Sequence, residues 1–246
     1  MTELDFNSKY EEGPGLKRGT EQRREGTLDQ ILEHYKKRKH KPDLGAANQE
    51  TIASRYTEAF VQAGMLPLDE RWLLDVGSFT GNWLVQACDQ WGGKLENCWG
   101  VDLRPHIVER GREMYPGIQL VTASADKIPF RNEYFDIVHQ SMMFSSVLDE
   151  KMRKAIAGEM WRVLKVGGYI AWYDFILNPF NPNARGMRKR DIRELFQYAE
   201  WVYCRRIGLA PPIVRLLNHI YEGLIPVLEK MVIFNTYYLC MLRKPK

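Results

Sequence analysis

From Arg71 onward the chain repeats one pattern: a short apolar run, a turn, then a longer amphipathic stretch. Residues 71–76, 97–102, 118–122, 134–140 and 168–174 have the length and composition of strands. Residues 81–91, 105–114 and 149–164 lie between them and read as helices; the last puts Met152, Ile156, Met160 and Val163 on one face. Strands that alternate with helices predict a parallel sheet covered on both sides. A helix near 187–198, a strand near 201–207 and a final strand near 235–242 extend it. The expectation is an α/β, doubly wound, mostly parallel sheet of seven strands.

The N-terminal quarter has a different texture. Residues 1–25 are mixed in charge, hold Gly13, Pro14 and Gly15, and read as an arm. Thr27 then opens a helix, with Gln30 at the capping-box offset and Leu28, Ile31, Leu32 and Tyr35 on one face. A second helix is expected from about Asn48 to Ala63, with Ile52, Tyr56 and Phe60 in line. This divides the chain into an arm with cap helices over 1–66 and a main domain over 67–246. Within the latter, the nearly all-apolar stretch 210–233 is a helical insertion before the last strand, with Gly223 and Pro226 expected to kink or split it. Core or homodimer packing is one reading of that stretch, and a lid over an apolar ligand is the other.

The strand ends carry the chemistry. Leu73-Leu74-Asp75-Val76 leads into Gly77-Ser78-Phe79-Thr80-Gly81. Gly77 lets backbone pass close to a ligand, and a helix opening near Gly81 offers free N–H groups. Asp102 ends the second strand about 20 residues later, the interval of a ribose-binding acid; capping the next helix is its plainer role. The two together point to a nucleoside. A nicotinamide site wants G-x-G-x-x-G, and this turn lacks the second and third glycines.

Three further stretches narrow the choice: Ala125-Asp126-Lys127-Ile128-Pro129-Phe130, Phe135-Asp136-Ile137-Val138, and Arg162-Val163-Leu164-Lys165-Val166-Gly167-Gly168. In this order and spacing they resemble the class I, Rossmann-like methyltransferases that use S-adenosyl-L-methionine (SAM), particularly the ubiquinone and menaquinone branch. The resemblance covers roughly residues 70–175. It implies that Asp75, Gly77, Ser78, Phe79 and Gly81 lie under the methionine part of SAM. It further implies Asp102 on the ribose, Leu103 against the adenine, and Ala125 and Asp126 at the adenine edge. His139, Gln140 and Ser141, at the end of the fourth strand, would face the methionine and sulfonium side. Phe79 departs from the family's glycine, so the loop is expected to sit slightly differently.

The methyl acceptor is less legible. Sugar-methylating relatives place a His pair where this chain has Ser145-Ser146, so that base is missing. His139 and Asp174, at the ends of the fourth and fifth strands, are the remaining catalytic candidates. A histidine held between strand and helix and a capping aspartate are their plainer roles. Asn178-Pro179-Phe180 looks like part of a nucleobase-methylation motif, but it follows the wrong strand and reads as a turn-rich loop. Arg185, Arg188, Lys189 and Arg190 form either a solvated helix start or a rim for an anionic acceptor.

The expected function is methyl transfer to an oxygen or nitrogen of a small molecule: a sugar, a lipid-linked saccharide or a natural product. RNA or protein methylation and a non-catalytic SAM-binding scaffold are the alternatives. The net charge of +4 does not by itself suggest a nucleic-acid or membrane surface. Cys88, Cys98, Cys204 and Cys240 lack metal-ligand spacing. They are expected to be free thiols in a reducing, cytoplasmic setting, with no metal. The N-terminus shows no apolar signal core, and no run reaches the roughly 18 apolar residues of a membrane span.

Overall fold

A computed structural model describes residues 46–176, 184–221 and 224–246. The arm and first cap helix, with Thr27, Gln30 and Tyr35, lie outside the described residues, as does the Asn178–Asn183 loop.

The elements follow the expected alternation. Helix α1 (Ala46–Gln62) precedes β1 (Leu73–Val76), α2 (Asn82–Trp91), β2 (Cys98–Asp102), α3 (Pro105–Met114), β3 (Gln119–Thr122) and β4 (Phe135–Ser141). Then come α4 (Glu150–Val163), β5 (Leu164–Phe175), α5 (Lys189–Leu195) and β6 (Glu200–Leu209). The insertion forms two helices, α6 (Pro211–Ile220) and α7 (Ile225–Lys230), before β7 (Asn235–Arg243). Local chemistry sets the ends. Asp149 caps α4 by accepting from the Met152 N–H, and Pro105 opens α3. Gly92 closes α2 in the left-handed region at φ 78°.

The seven strands form one sheet in the order β3-β2-β1-β4-β5-β7-β6. The first five are parallel, while β7 runs antiparallel between β5 and β6. The β-strand expected from 168 starts at Leu164, because Leu164 already pairs with Phe135 across a register shift. With β7 antiparallel to both neighbours, β6 ends at the same sheet edge as β1 to β5.

Alternating side chains build a core on each face. Leu74, Val76, Val138 and Trp172 meet Ile156, Met160 and Val163 of α4 on one side. Leu73, Ile137, Ala171 and Leu239 meet Phe60 of α1 and Leu84 and Ala87 of α2 on the other. Leu120 fits where three glycines converge. A Cβ on Gly81 would stand 3.3 Å from its side chain, and one on Gly100 or Gly111 only 2.5 Å. The missing side chains let α2 and α3 sit directly on the sheet.

The cysteines correct one expectation. Cys204 and Cys240 lie opposite each other on β6 and β7 and are joined as a disulfide, so they are not free thiols. Cys88 and Cys98 are free, with sulfurs 3.6 Å apart. Among the described residues, no helix is long and apolar enough to cross a membrane.

Candidate functional site: a nucleoside pocket at the strand ends

The loop after β1 is fastened to β2. The Gly77 and Ser78 N–H groups both donate to the Val101 carbonyl, at 2.8 and 3.0 Å. Gly77 and Gly81 are left-handed, at φ 76° and 85°, and Phe79 joins them at φ 53°. The loop therefore keeps a left-handed turn at the position where Phe79 replaces glycine, at a steric cost of about 1–2 kcal/mol. The Arg104 guanidinium stands 5.1 Å over the Phe79 ring and offsets part of that.

Asp102, at the tip of β2, is 5% exposed and fully engaged. Oδ1 accepts from Arg104 N (3.0 Å) and Nε (2.9 Å), and Oδ2 from Phe79 N (3.0 Å) and Arg104 Nη2 (3.0 Å). A carboxylate offers about four lone-pair sites, so Arg104 occupies acceptor capacity that a ribose would need.

Asp102 borders an open pocket of about 460 Å³. Its walls are Gly77, Val101, Leu103, Ala123, Ser124, Ala125, Met143, Val147, Met152 and Ile156. A Cβ on Gly77 would approach Met143 Cγ to 3.0 Å, so the chain is glycine where the floor is tightest. Asp126 stands at the rim, bonded to the Ser124 hydroxyl. A slot with aliphatic walls and a carboxylate at the end of β2 suits a flat base joined to a diol.

The remaining expected residues lie elsewhere. Asp75 and His139 pair across β1 and β4 and point to the other face of the sheet. His139 is fully buried, with Nδ1 2.7 Å from Asp75 Oδ1 and Nε2 2.7 Å from the Tyr56 hydroxyl of α1. Burial, then the Asp75 charge, holds the Tyr56 phenol well above its usual range. Tyr56 therefore stays protonated, and its hydroxyl can donate to Nε2 of the imidazole tautomer whose Nδ1–H donates to Asp75. The Trp83 ring stacks on the imidazole at 3.7 Å.

Gln140 is spent on backbone: Nε2 donates to the Tyr173 carbonyl at 3.3 Å and Oε1 accepts from Met143 N at 3.2 Å. Ser141 pairs with Tyr173 in the sheet and is half-buried. Asp174 is buried beneath the turn after β4 and accepts from Ser145 N (3.0 Å) and Phe175 N (2.8 Å). Desolvation pushes its carboxyl up to about 6 despite those hydrogen bonds.

Comparison with known proteins addresses the identity of this arrangement. Residues 73–168 match the family model described as a methyltransferase domain. That span holds the loop, the acid and the pocket walls.

The match marks residues 73–168 as similar to methyltransferase domains.

The chain is similar to the demethylmenaquinone methyltransferase of Roseiflexus castenholzii. Identity there is 29% over 147 residues, 59% of this chain and 53% of that protein. It is 30% identical over 107 residues to a ubiquinone/menaquinone biosynthesis C-methyltransferase of Burkholderia vietnamiensis, covering 42% of each chain. The chain thus spans about half the length of the curated relatives it matches. Among solved structures, geranyl diphosphate C-methyltransferase from Streptomyces coelicolor shares the fold at a TM-score of 0.59 and 13% identity. That match covers 89% of this chain and 98% of the other. A SAM-dependent methyltransferase from Archaeoglobus fulgidus shares the fold at a TM-score of 0.55 and 16% identity, over 79% and 94% of the two chains.

Several residues around the pocket leave little trace in the sequence. Arg104 escaped notice because an Asp-x-Arg pair is commonplace, although its spacing of two permits the fork seen here. In the sequence Met152 and Ile156 mark a core face, and their place four residues apart lets α4 present both to the pocket. Tyr56 stands there as one apolar position among three. No signal in the sequence tied it to His139, 83 residues away.

Proposed function

We propose that this protein transfers a methyl group from SAM to a small-molecule acceptor. The observation that carries the reading is one pocket bounded by Gly77 of the left-handed loop, Asp102, Leu103 and the Ser124-Ala125 stretch, with Asp126 at its rim. In this reading Asp102 accepts from the ribose hydroxyls, and Leu103 and Ala125 flank the adenine, with Asp126 at its amino edge. Gly77, Ser78, Phe79 and Gly81 pass beneath the methionine. Gln140 and Ser141, at the end of β4, face the methionine and sulfonium side, and Asp75 braces β1 from the other face of the sheet. SAM supplies an electrophilic methyl group, so the protein's part is to align the nucleophile and exclude water.

The names of the relatives favour a carbon acceptor on a quinone-type ring over the sugar acceptors considered from sequence. Methylation at carbon needs a base for the departing proton. Neither His139 nor Asp174 has an open polar atom in this conformation, and their geometry favours positioning. His139 ties α1 to the sheet and orients Asp75, while Asp174 holds the turn at Ser145 over the strand ends. Calorimetry with SAM, followed by release of S-adenosylhomocysteine with demethylated quinols, sugars and lipid-linked saccharides, tests the proposal. SAM binding with turnover on one class is expected. Absence of SAM binding by the folded protein refutes it.

A further inference from the structure

The insertion between β6 and β7 is apolar on two sides. Its inner side is satisfied: Leu209, Val214, Leu217 and Ile225 form a small core separate from the two beneath the sheet. Its outer side is not. Thirteen large apolar side chains are exposed among the described residues, and seven fall between 216 and 234: Leu216, Tyr221, Leu224, Val227, Met231, Ile233 and Phe234. Ile233 is 74% exposed, the highest value of the thirteen. Exposed apolar residues scattered singly need no account, but seven on one short hairpin do.

We propose that this hairpin is a peripheral membrane-binding surface that seats on an anionic lipid bilayer. Charge selects this occupant over a second copy of the chain. Arg205 and Arg206 are exposed on β6, the strand against which α7 and the turn Val232–Phe234 pack. From 205 to 234 the sequence holds Arg205, Arg206, Arg215 and Lys230 against Glu222 and Glu229. A two-fold contact would set Arg205 and Arg206 against their own copies, whereas anionic headgroups complement them. Helices of 10 and 6 residues are too short to span a bilayer but can lie in its interface. The hairpin follows β6, which ends on the same side of the sheet as β1 to β5, with β4, β5 and β7 between it and the pocket at β1 and β2.

The test is co-sedimentation of the full chain with vesicles of phosphatidylcholine alone or with added phosphatidylglycerol. Binding to the anionic vesicles, weakened by salt, is expected. Val227→Ser with Ile233→Ser should lower it about ten-fold or more, with SAM affinity unchanged. Arg205→Glu with Arg206→Glu should lower it as well, which covers the case in which the serine variant does not fold. Failure of the wild-type chain to bind anionic vesicles overturns the proposal, and so does undiminished binding by a folded variant. A dimer in analytical ultracentrifugation that the serine pair dissolves would assign the surface to a second copy instead. Vesicle binding is read without any methyl acceptor, so its outcome is independent of the methyl-transfer assay.

Discussion

Asp102 holds four donors on one carboxylate, and three come from Arg104. Two opposite predictions follow for adjacent residues. Asp102→Ala removes the proposed ribose contact and should weaken SAM binding by about 1.5–3 kcal/mol. Arg104→Ala frees acceptor sites on Asp102 and should tighten SAM binding by about 1 kcal/mol, provided the ribose displaces the guanidinium. Calorimetry measures both, and an Arg104→Ala variant with weakened binding would show that Arg104 helps to hold SAM. Asp174 gives a pH signature. Its carboxyl sits near 6 in the folded protein, above its ordinary value of 3.8. Between those values the folded chain keeps a proton that the unfolded chain has lost, so stability falls as pH rises from about 4 to about 6, by up to about 3 kcal/mol. Above that window the loss is complete. Denaturant melts across this range should show the decline in wild type and lack it in Asp174→Asn.

At the scale of elements, Gly111 sets two effects against each other. It lies inside α3, where alanine is the better helix former by about 1 kcal/mol. Yet a Cβ there would meet Leu120 Cδ1 at 2.5 Å and the Thr80 carbonyl at 2.7 Å. Backbone does not yield cheaply, so crowding should win and Gly111→Ala should destabilise by about 1–2 kcal/mol net. A shift in the chemical-denaturation midpoint checks this. The same residue shows where sequence reading stops. Strand and helix periods, caps and the order of motifs exposed nearly every element, because each is a local pattern a few residues long. That Gly81, Gly100 and Gly111 serve one leucine depends on where three elements meet. The pairing of His139 with Tyr56, the fork of Arg104 and the cross-strand disulfide are likewise tertiary facts. Phe79 was legible as a departure, but its left-handed backbone was not, since propensity argues against it.

For the molecule as a whole, the pocket walls among the described residues come from residues 77–156. Deleting residues 1–25 is therefore expected to leave SAM affinity and the circular-dichroism spectrum unchanged. If the arm helps to close over the acceptor, turnover or acceptor affinity should fall. Unchanged acceptor kinetics would make it a passive extension. The net charge of +4 gave no hint of a lipid surface, because a basic margin around an apolar hairpin is a matter of local arrangement.

The position of β7 has a consequence for how the chain is made. It is hydrogen-bonded to β5 on one side and β6 on the other, yet it follows both in sequence. Until residues 235–243 leave the ribosome, β6 has no neighbour to pair with and β5 presents an open edge. The apolar hairpin emerges during that same interval. The nascent protein therefore passes through a stage in which an unpaired strand edge and an adhesive helical segment are both uncovered, the combination that invites chaperones. A single late strand ends it by bridging the two.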